Sequence, residues 1–219
     1  MTKRKEFDQS LDEMRLMLVE MGNRVEQVLS QSVEALKQID TDTAYKLIKA
    51  DAEINEMEAK IGEIGTRLIA TQQPVAKDLR RILAAFKIAN DLERMADLSI
   101  DIAKVVLRME GQLLIKPLVD IPRMAEIVGE MIHQSTQSYI HEDVDLAYKM
   151  AKSDDQVDQL YSQILRELFS FMVENPKTIN QAMLLSFVGR YIERIADHAT
   201  NIGESVVYLV IGSRPDLNV

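Results

Sequence analysis

Two short acidic motifs contain the residues of this chain that are best suited to bind a cation. Residues 93–97 read ERMAD and residues 193–197 read ERIAD, so a glutamate and an aspartate stand four residues apart in each motif. On a helix, that spacing places both carboxylates on one strip. Like charges at this spacing destabilise a helix by about 0.2–0.5 kcal/mol per pair, and a bound cation would reverse the effect. The four carboxylates belong to Glu93, Asp97, Glu193 and Asp197.

Further carboxylates are expected to face these motifs from the preceding helix of each hairpin. Asp51 and Asp97 each lie 23 residues from Pro74, so an antiparallel hairpin that turns at this proline places them at one level. A similar count from Pro176 brings two aspartates level with ERIAD, and one more aspartate follows ERMAD at the next turn of its helix. These additional candidate ligands are Asp51, Asp101, Asp154 and Asp158.

Clustered carboxylate oxygens without thiols suit hard or borderline metal ions. We therefore expect a divalent metal such as iron, Mg²⁺, Mn²⁺ or Ca²⁺, with Zn²⁺ also open. The competing interpretation is a plain surface ion pair, because Arg94 and Arg194 each lie three residues before the aspartate of their motif. The arrangement occurs twice, symmetrically about two turns, and the sequence leaves both interpretations open.

The chain contains two copies of one helical unit. An offset of 103 residues lays residues 42–58 over residues 145–161, with six identities and apolar residues on apolar residues. An offset of 100 aligns the two acidic motifs, and the change of offset falls where a loop tolerates deletion. The copies differ within the acidic strips, because Asn55 stands where the second unit has Asp158, and Asn201 stands where the first has Asp101. The two candidate sites are therefore expected to differ in charge.

Apolar periodicity predicts an all-α fold made of two antiparallel three-helix bundles in tandem. The first bundle takes residues 1–111, a proline-containing linker takes 112–121, and the second bundle takes 122–219. Two separate bundles or one merged six-helix bundle both remain compatible with this pattern. The predicted helices cover approximately residues 7–38, 40–70, 76–109, 122–141, 143–174 and 179–211.

Composition excludes several functions and suggests a compartment. A formal net charge of −9 is unfavourable for binding the phosphate backbone of nucleic acids. The absence of cysteine removes disulfides and thiol catalysis, and is compatible with a reducing compartment. The basic N-terminus is followed by no apolar signal core, and no apolar run approaches the roughly 18 residues that span a bilayer. We therefore expect a cytoplasmic protein.

Other familiar chemical motifs are missing or incomplete. A ferritin-like di-iron site needs two Glu-x-x-His motifs, and this chain has one, from Glu130 to His133. No Walker loop, dinucleotide-binding loop or nucleophile elbow occurs. The basic stretch KDLRR at residues 77–81 could bind an anion at a helix start, but its counterpart at residues 178–183 is not basic, which favours a solvated face.

The two ER-AD motifs, together with RLIATQQPVAKDLR at residues 67–80, resemble the PhoU family of bacterial phosphate-uptake regulators. The resemblance extends over nearly the whole chain. It implies a fold of tandem three-helix bundles and E/D-x-x-x-D motifs that hold multinuclear metal clusters in some members. Glu93, Asp97, Glu193 and Asp197 match those motifs directly.

The resemblance also implies a regulatory protein rather than an enzyme. The expected partners are the ATPase subunit of a phosphate ABC transporter and a phosphate sensor histidine kinase, with contact to the membrane through these partners only. A homodimer is expected as well. The alternative is a metal-dependent enzyme, a phosphohydrolase or an oxidase, that uses the same carboxylates. A third interpretation treats the carboxylates as solvated and structural.

Overall fold

The computed structural model describes residues 3–50 and 52–217, except for the side chain of Lys3. Within these ranges the chain forms eight α-helices and one short 3₁₀ turn, and it contains no strand, as the sequence predicts. The 3₁₀ turn at Pro176–Thr178 joins the last two helices. The helices are α1 (Lys3–Gln38), α2 (Thr41–Ala50), α3 (Ala52–Gln72), α4 (Ala76–Arg108), α5 (Asp120–His141), α6 (Val144–Ala151), α7 (Asp154–Glu174) and α8 (Ile179–Ile211).

The second helix of the second unit is divided, which corrects the continuous helix expected over residues 143–174. Helix α6 ends at Ala151, and α7 begins at Asp154 after a turn at residues 152–153. The sequence Ser-Asp-Asp at this point favours a helix start, because acidic residues in a first turn interact well with the helix dipole. In the first unit the corresponding residue, Asp51, lies outside the described residues.

Aspartate side chains begin the short helices α2 and α6. Asp40 accepts hydrogen bonds from the backbone N–H of Thr43 at 3.0 Å and from its hydroxyl at 2.6 Å. Asp143 accepts one from the backbone N–H of Leu146 at 3.0 Å. Each cap satisfies a backbone donor that the first helical turn leaves free.

Helices α4 and α8 pack against each other in antiparallel directions and join the two units. Arg80 near the start of α4 donates a hydrogen bond to the carbonyl oxygen of Leu209 near the end of α8, at 3.3 Å. In the middle of both helices, the Asp91 carboxylate lies 3.0 Å from the imidazole of His198. From the first of these contacts to the second, residue numbers rise along α4 and fall along α8. The two helices therefore run in opposite directions.

Helices α1 and α5 form a second contact between the units, also antiparallel. Arg15 of α1 donates a hydrogen bond to the carbonyl oxygen of Ile140 at the end of α5. Further along, Gly22 allows close approach, because a Cβ atom there would lie 2.5 Å from the hydroxyl oxygen of Thr136. A larger residue at Gly22 would force the two helices apart.

Apolar side chains from both units form one continuous core. Helix α4 shows this most clearly: Ile82 and Phe86 lie beside Gly65 of α3 in the same unit, while Ala85, Ile88 and Met95 are buried as well. The helix is therefore covered on two sides, by its own unit and by α8. The two bundles share a core, which decides the question that the sequence leaves open. No described helix is both long and apolar enough to cross a membrane.

The shared core predicts that substituting two different leucines of α1 changes the free energy of unfolding by very different amounts. Leu18 is fully buried, whereas Leu16 is 70% exposed. Replacing Leu18 with Ala should lower the free energy of unfolding by about 2–5 kcal/mol, because the substitution leaves a cavity. Replacing Leu16 with Ala is the matched control and should change it by less than about 0.5 kcal/mol. Urea unfolding followed by circular dichroism measures both values, and equal losses would contradict the placement of α1.

Candidate metal centre

The hairpin of α7 and α8 brings together the four acidic residues predicted for the second unit. Asp154 and Asp158 lie on α7, and Glu193 and Asp197 lie on α8. The pKa of Asp154 is raised from its ordinary value of 3.8 to about 7. Partial burial is the largest cause of this shift, followed by the negative charges of the other three residues. The antiparallel pairing inferred from the turn at Pro176 is therefore correct for this unit.

Glu193 is largely enclosed within this cluster, with a side chain that is 13% exposed. Its Oε1 atom accepts a hydrogen bond from Arg190. Its Oε2 atom is buried and has no hydrogen-bond partner among the described residues. Burial and the charge of Asp197 raise the pKa of Glu193, and burial also raises the pKa of Asp197 despite the opposing charge of Arg190. The cluster therefore holds negative charge at an energetic cost.

The residue types of this cluster fit a hard or borderline divalent cation. Carboxylate oxygens are the preferred ligands of such ions, and a buried oxygen without a hydrogen-bond donor is a natural ligand atom. As the side chains stand, no three Asp, Glu or His residues of the described ranges converge closely enough to coordinate one ion. Binding would therefore require rotation of the half-exposed carboxylates toward one another across the hairpin.

The candidate residues of the first unit occupy one strip of α4, but basic side chains accompany them. Arg94 lies 3.4 Å from Glu93 and 3.3 Å from Asp97, and Lys104 lies 2.8 Å from Asp101. Asp51, which the sequence predicts to face this strip, lies outside the described residues. The described part of this site thus carries ion pairs as well as the predicted carboxylate strip.

The two units differ in how their arginines are used. Arg194, the counterpart of Arg94, makes no ion pair with Asp197 within the described ranges and acts on it only through a weaker charge interaction. The ion pair between Arg94 and Asp97 in the first unit has no counterpart between Arg194 and Asp197 in the described second unit, where Arg190 pairs with Glu193 instead. The second cluster is accordingly the stronger candidate for a metal centre.

A buried polar contact between the units was not found from the sequence. Asp91 is 5% exposed and its Oδ1 atom lies 3.0 Å from Nδ1 of His198, while its Oδ2 atom is buried without a hydrogen-bond partner among the described residues. The only signal in the sequence was the charge of Asp91, which lies on the face of α4 that packs against the other unit.

These features define a class: an all-helical tandem-repeat protein whose conspicuous functional groups are carboxylates on the outer hairpins. The family model described as the PhoU domain matches this chain twice, at residues 18–106 and 121–206. The chain belongs to the PhoU family.

Named relatives and solved structures resemble the chain over most of its length. It is 40% identical to the phosphate-specific transport system accessory protein PhoU homolog of Clostridium acetobutylicum, over 98% of this chain and 99% of that protein. It is 34% identical to the Escherichia coli accessory protein PhoU, over 94% and 86% of the two chains. The crystal structure of PhoU from Pseudomonas aeruginosa superposes with a TM-score of 0.90 at 35% identity, covering 94% of this chain and all of that one. The phosphate transport system regulatory protein PhoU from Streptococcus pneumoniae gives 0.89 at 28% identity, covering 96% and 99%.

The raised pKa of Asp154 predicts how stability depends on pH in protein treated with a chelator. Between about pH 4 and pH 7 the folded protein holds a proton that the unfolded chain releases, so this group lowers stability as pH rises through that window. Asp154→Asn removes the ionisation. The variant should be more stable than the parent at pH 8, by on the order of 1 kcal/mol because half-exposed charges are screened, and should match it near pH 4.

Thermal unfolding at several pH values measures this difference. Glu63→Gln is the control, because Glu63 is exposed on α3 of the other unit and lies outside the cluster. An Asp154→Asn variant that gains nothing at pH 8, or gains the same amount at pH 4, would show that the carboxylates do not repel one another as described.

Proposed function

We propose that this chain is an accessory and regulatory protein of a phosphate transport system. The observation that supports the proposal most strongly is the match over nearly the full length to proteins named for that role. The two solved structures, which superpose over more than nine-tenths of this chain, are consistent with the same architecture. The proposed role is performed by binding other proteins rather than by catalysis.

The proposed partners are the ATPase subunit of the phosphate transporter and the phosphate sensor histidine kinase. Both present domains in the cytoplasm, so the proposal places this chain there as well. Binding at the membrane would follow from these partners. The rigid shared core supports such a role, because it holds the outer hairpins of both units in fixed positions for recognition. We also propose that the protein acts as a homodimer.

We further propose that the second-unit cluster binds a divalent metal ion such as iron, Mn²⁺, Mg²⁺, Zn²⁺ or Ca²⁺. An ion would neutralise the mutual repulsion of Asp154, Asp158, Glu193 and Asp197. It would also link α7 to α8 and fix the acidic surface that a partner meets. The strip of Glu93, Asp97 and Asp101, with Asp51, is proposed as a second site of different charge. The alternative of a metal-dependent phosphohydrolase or oxidase gains no support from the names of the relatives.

Replacing two carboxylates by amides tests the metal site of the second unit. The double variant Glu193→Gln with Asp197→Asn keeps the side-chain shapes and removes two charged ligands. Metal content measured by elemental analysis should fall by the amount held in that cluster. The control variant Glu56→Gln with Glu63→Gln removes the same charge from exposed positions on α3 and should keep its metal. Unchanged stoichiometry in the Glu193/Asp197 variant would contradict the site.

Pull-down of purified partners tests the regulatory role. The full chain should retain the transporter ATPase subunit and the cytoplasmic part of the sensor kinase. If the metal-bound face takes part in recognition, the Glu193/Asp197 double variant should bind at least one of them about tenfold more weakly, and the Glu56/Glu63 control should bind both normally. Failure of the unaltered chain to bind either partner would contradict the proposed role, whatever its metal content.

A further inference from the structure

A cavity of about 450 Å³ opens at the end of the molecule where the two units meet. The first halves of α1 and α4 form one side, and the last turns of α5 and α8 form the other. Its volume lies within the range of small-molecule sites in proteins. The cavity is far along the helices from the acidic clusters, since α4 contributes Arg81 and Ala85 here but carries Glu93 and Asp97 further on. A ligand bound here would contact both units.

Tyr139 places an unused hydrogen-bond donor in this cavity. The residue is 8% exposed and lines the cavity wall, and its hydroxyl has no hydrogen-bond partner among the described residues. Burial raises its pKa to about 12, so the hydroxyl keeps its proton at neutral pH. The hydroxyl oxygen is not sealed from the cavity, so a ligand bound there can accept its hydrogen bond in place of water.

Two guanidinium groups lie near this hydroxyl. Burial is the largest influence on the pKa of Tyr139, and the positive charges of Arg15 and, to a smaller extent, Arg81 oppose it. Arg15 uses a donor on the backbone carbonyl of Ile140 and has further N–H groups to offer. Arg81 donates a hydrogen bond to Glu142 at 3.1 Å, and its other nitrogen lies 3.6 Å from Asp78. Arg15, Arg81 and Tyr139 thus supply donors from three helices.

Most of the acidic side chains around the cavity are neutralised by basic ones. Glu142 pairs with Lys77 at 2.6 Å as well as with Arg81. Burial works to raise the pKa of Glu142, but these hydrogen bonds outweigh it and hold the pKa below its ordinary value. Asp8 pairs with Arg4 at 3.1 Å. Two of the three acids therefore present little net charge to a ligand.

The remaining walls set the shape of the ligand. Asp12 lines the cavity and forms no ion pair within the described part of the chain, so it can accept a hydrogen bond from a hydroxyl or an amine. Leu11, Met14 and Ala85 supply an apolar surface beside it. A ligand that satisfies all of these groups has an anionic head, donor groups in the middle and an apolar part.

The internal repeat shows that the fold does not require these polar residues. At the offset of 103 residues, Leu36 corresponds to Tyr139, and Leu36 is fully buried. The equivalent position in the other copy is thus occupied by an apolar side chain. The counterpart of Arg81, at the offset of 100 residues, is the buried polar residue Gln181. Arginine and a buried tyrosine at this end call for a reason other than packing.

We propose that this cavity binds an organic phosphate monoester of the size of a nucleoside monophosphate. The phosphate interacts with Arg15, Arg81 and the Tyr139 hydroxyl, because donors from three directions match three terminal phosphate oxygens better than the two oxygens of a carboxylate. Sugar hydroxyls donate to Asp12, and the base lies on the apolar wall. The ligand bridges the units at one end of the α1–α5 and α4–α8 contacts.

Calorimetric titration of the full chain with four probes tests this site and separates its parts. Adenosine 5′-monophosphate should bind with a dissociation constant below about 1 mM. Ribose 5-phosphate, which lacks the base, adenosine, which lacks the phosphate, and inorganic phosphate should each bind about tenfold more weakly or not at all. Adenosine that binds as well as its monophosphate, or no saturable binding by any phosphate ester, would overturn the proposal.

Two variants locate the binding. Tyr139→Phe removes only the hydroxyl and Arg15→Gln removes one guanidinium, and each should weaken nucleotide binding about tenfold or more, as expected for a lost hydrogen bond to a charged group. Tyr148→Phe and Arg108→Gln are matched controls at exposed positions and should bind as the parent does. Thermal unfolding should show that Tyr139→Phe is at least as stable as the parent, because the lost hydroxyl has no protein partner. Equal affinity in Tyr139→Phe and the parent would exclude the site without affecting the proposed phosphate-transport role.

Discussion

The antiparallel packing of α4 against α8 is the constraint on which the rest of the structure depends. Each of these helices has 33 residues and buries side chains on two sides, one against its own bundle and one against the other bundle. Burial of apolar surface on two sides fixes their rotation about their own axes. That rotation directs the carboxylate strip of α8 toward α7, and the antiparallel direction brings the start of α4 beside the end of α8, where the cavity opens.

The two copies share an architecture and differ in their chemistry. In the first unit, Arg94 and Lys104 lie beside the acidic strip, whereas in the second unit burial and neighbouring carboxylates raise the pKa values of Asp154 and Glu193. The two copies also differ in the residues that they place at the end of the molecule where the cavity opens. Duplication supplies equivalent positions, and because a shared core maintains the fold, surface and end positions can take different polar residues in each copy.

The acidic cluster and the buried Asp91–His198 contact both place polar groups where water is scarce. Such groups cost free energy unless they are paired, so a large apolar core has to offset them. The continuous core of both units provides this stabilisation, and we therefore expect the metal-free protein to remain helical. Binding a cation at the cluster would then alter the charge and rigidity of one surface without being needed for folding.

The sequence by itself determined the helices, the duplication and the pairing within the second hairpin. These follow from local rules: apolar periodicity, acidic caps such as Asp40, and similar numbers of residues on the two sides of a turn, which brought Asp154 close to the level of Asp197. The division between α6 and α7 was missed because the periodicity continues across it. Only the tertiary structure decided the shared core, the Asp91–His198 contact and the cavity around Tyr139. Each of these joins residues that are far apart along the chain, and their partners depend on how whole helices pack, which no local spacing specifies.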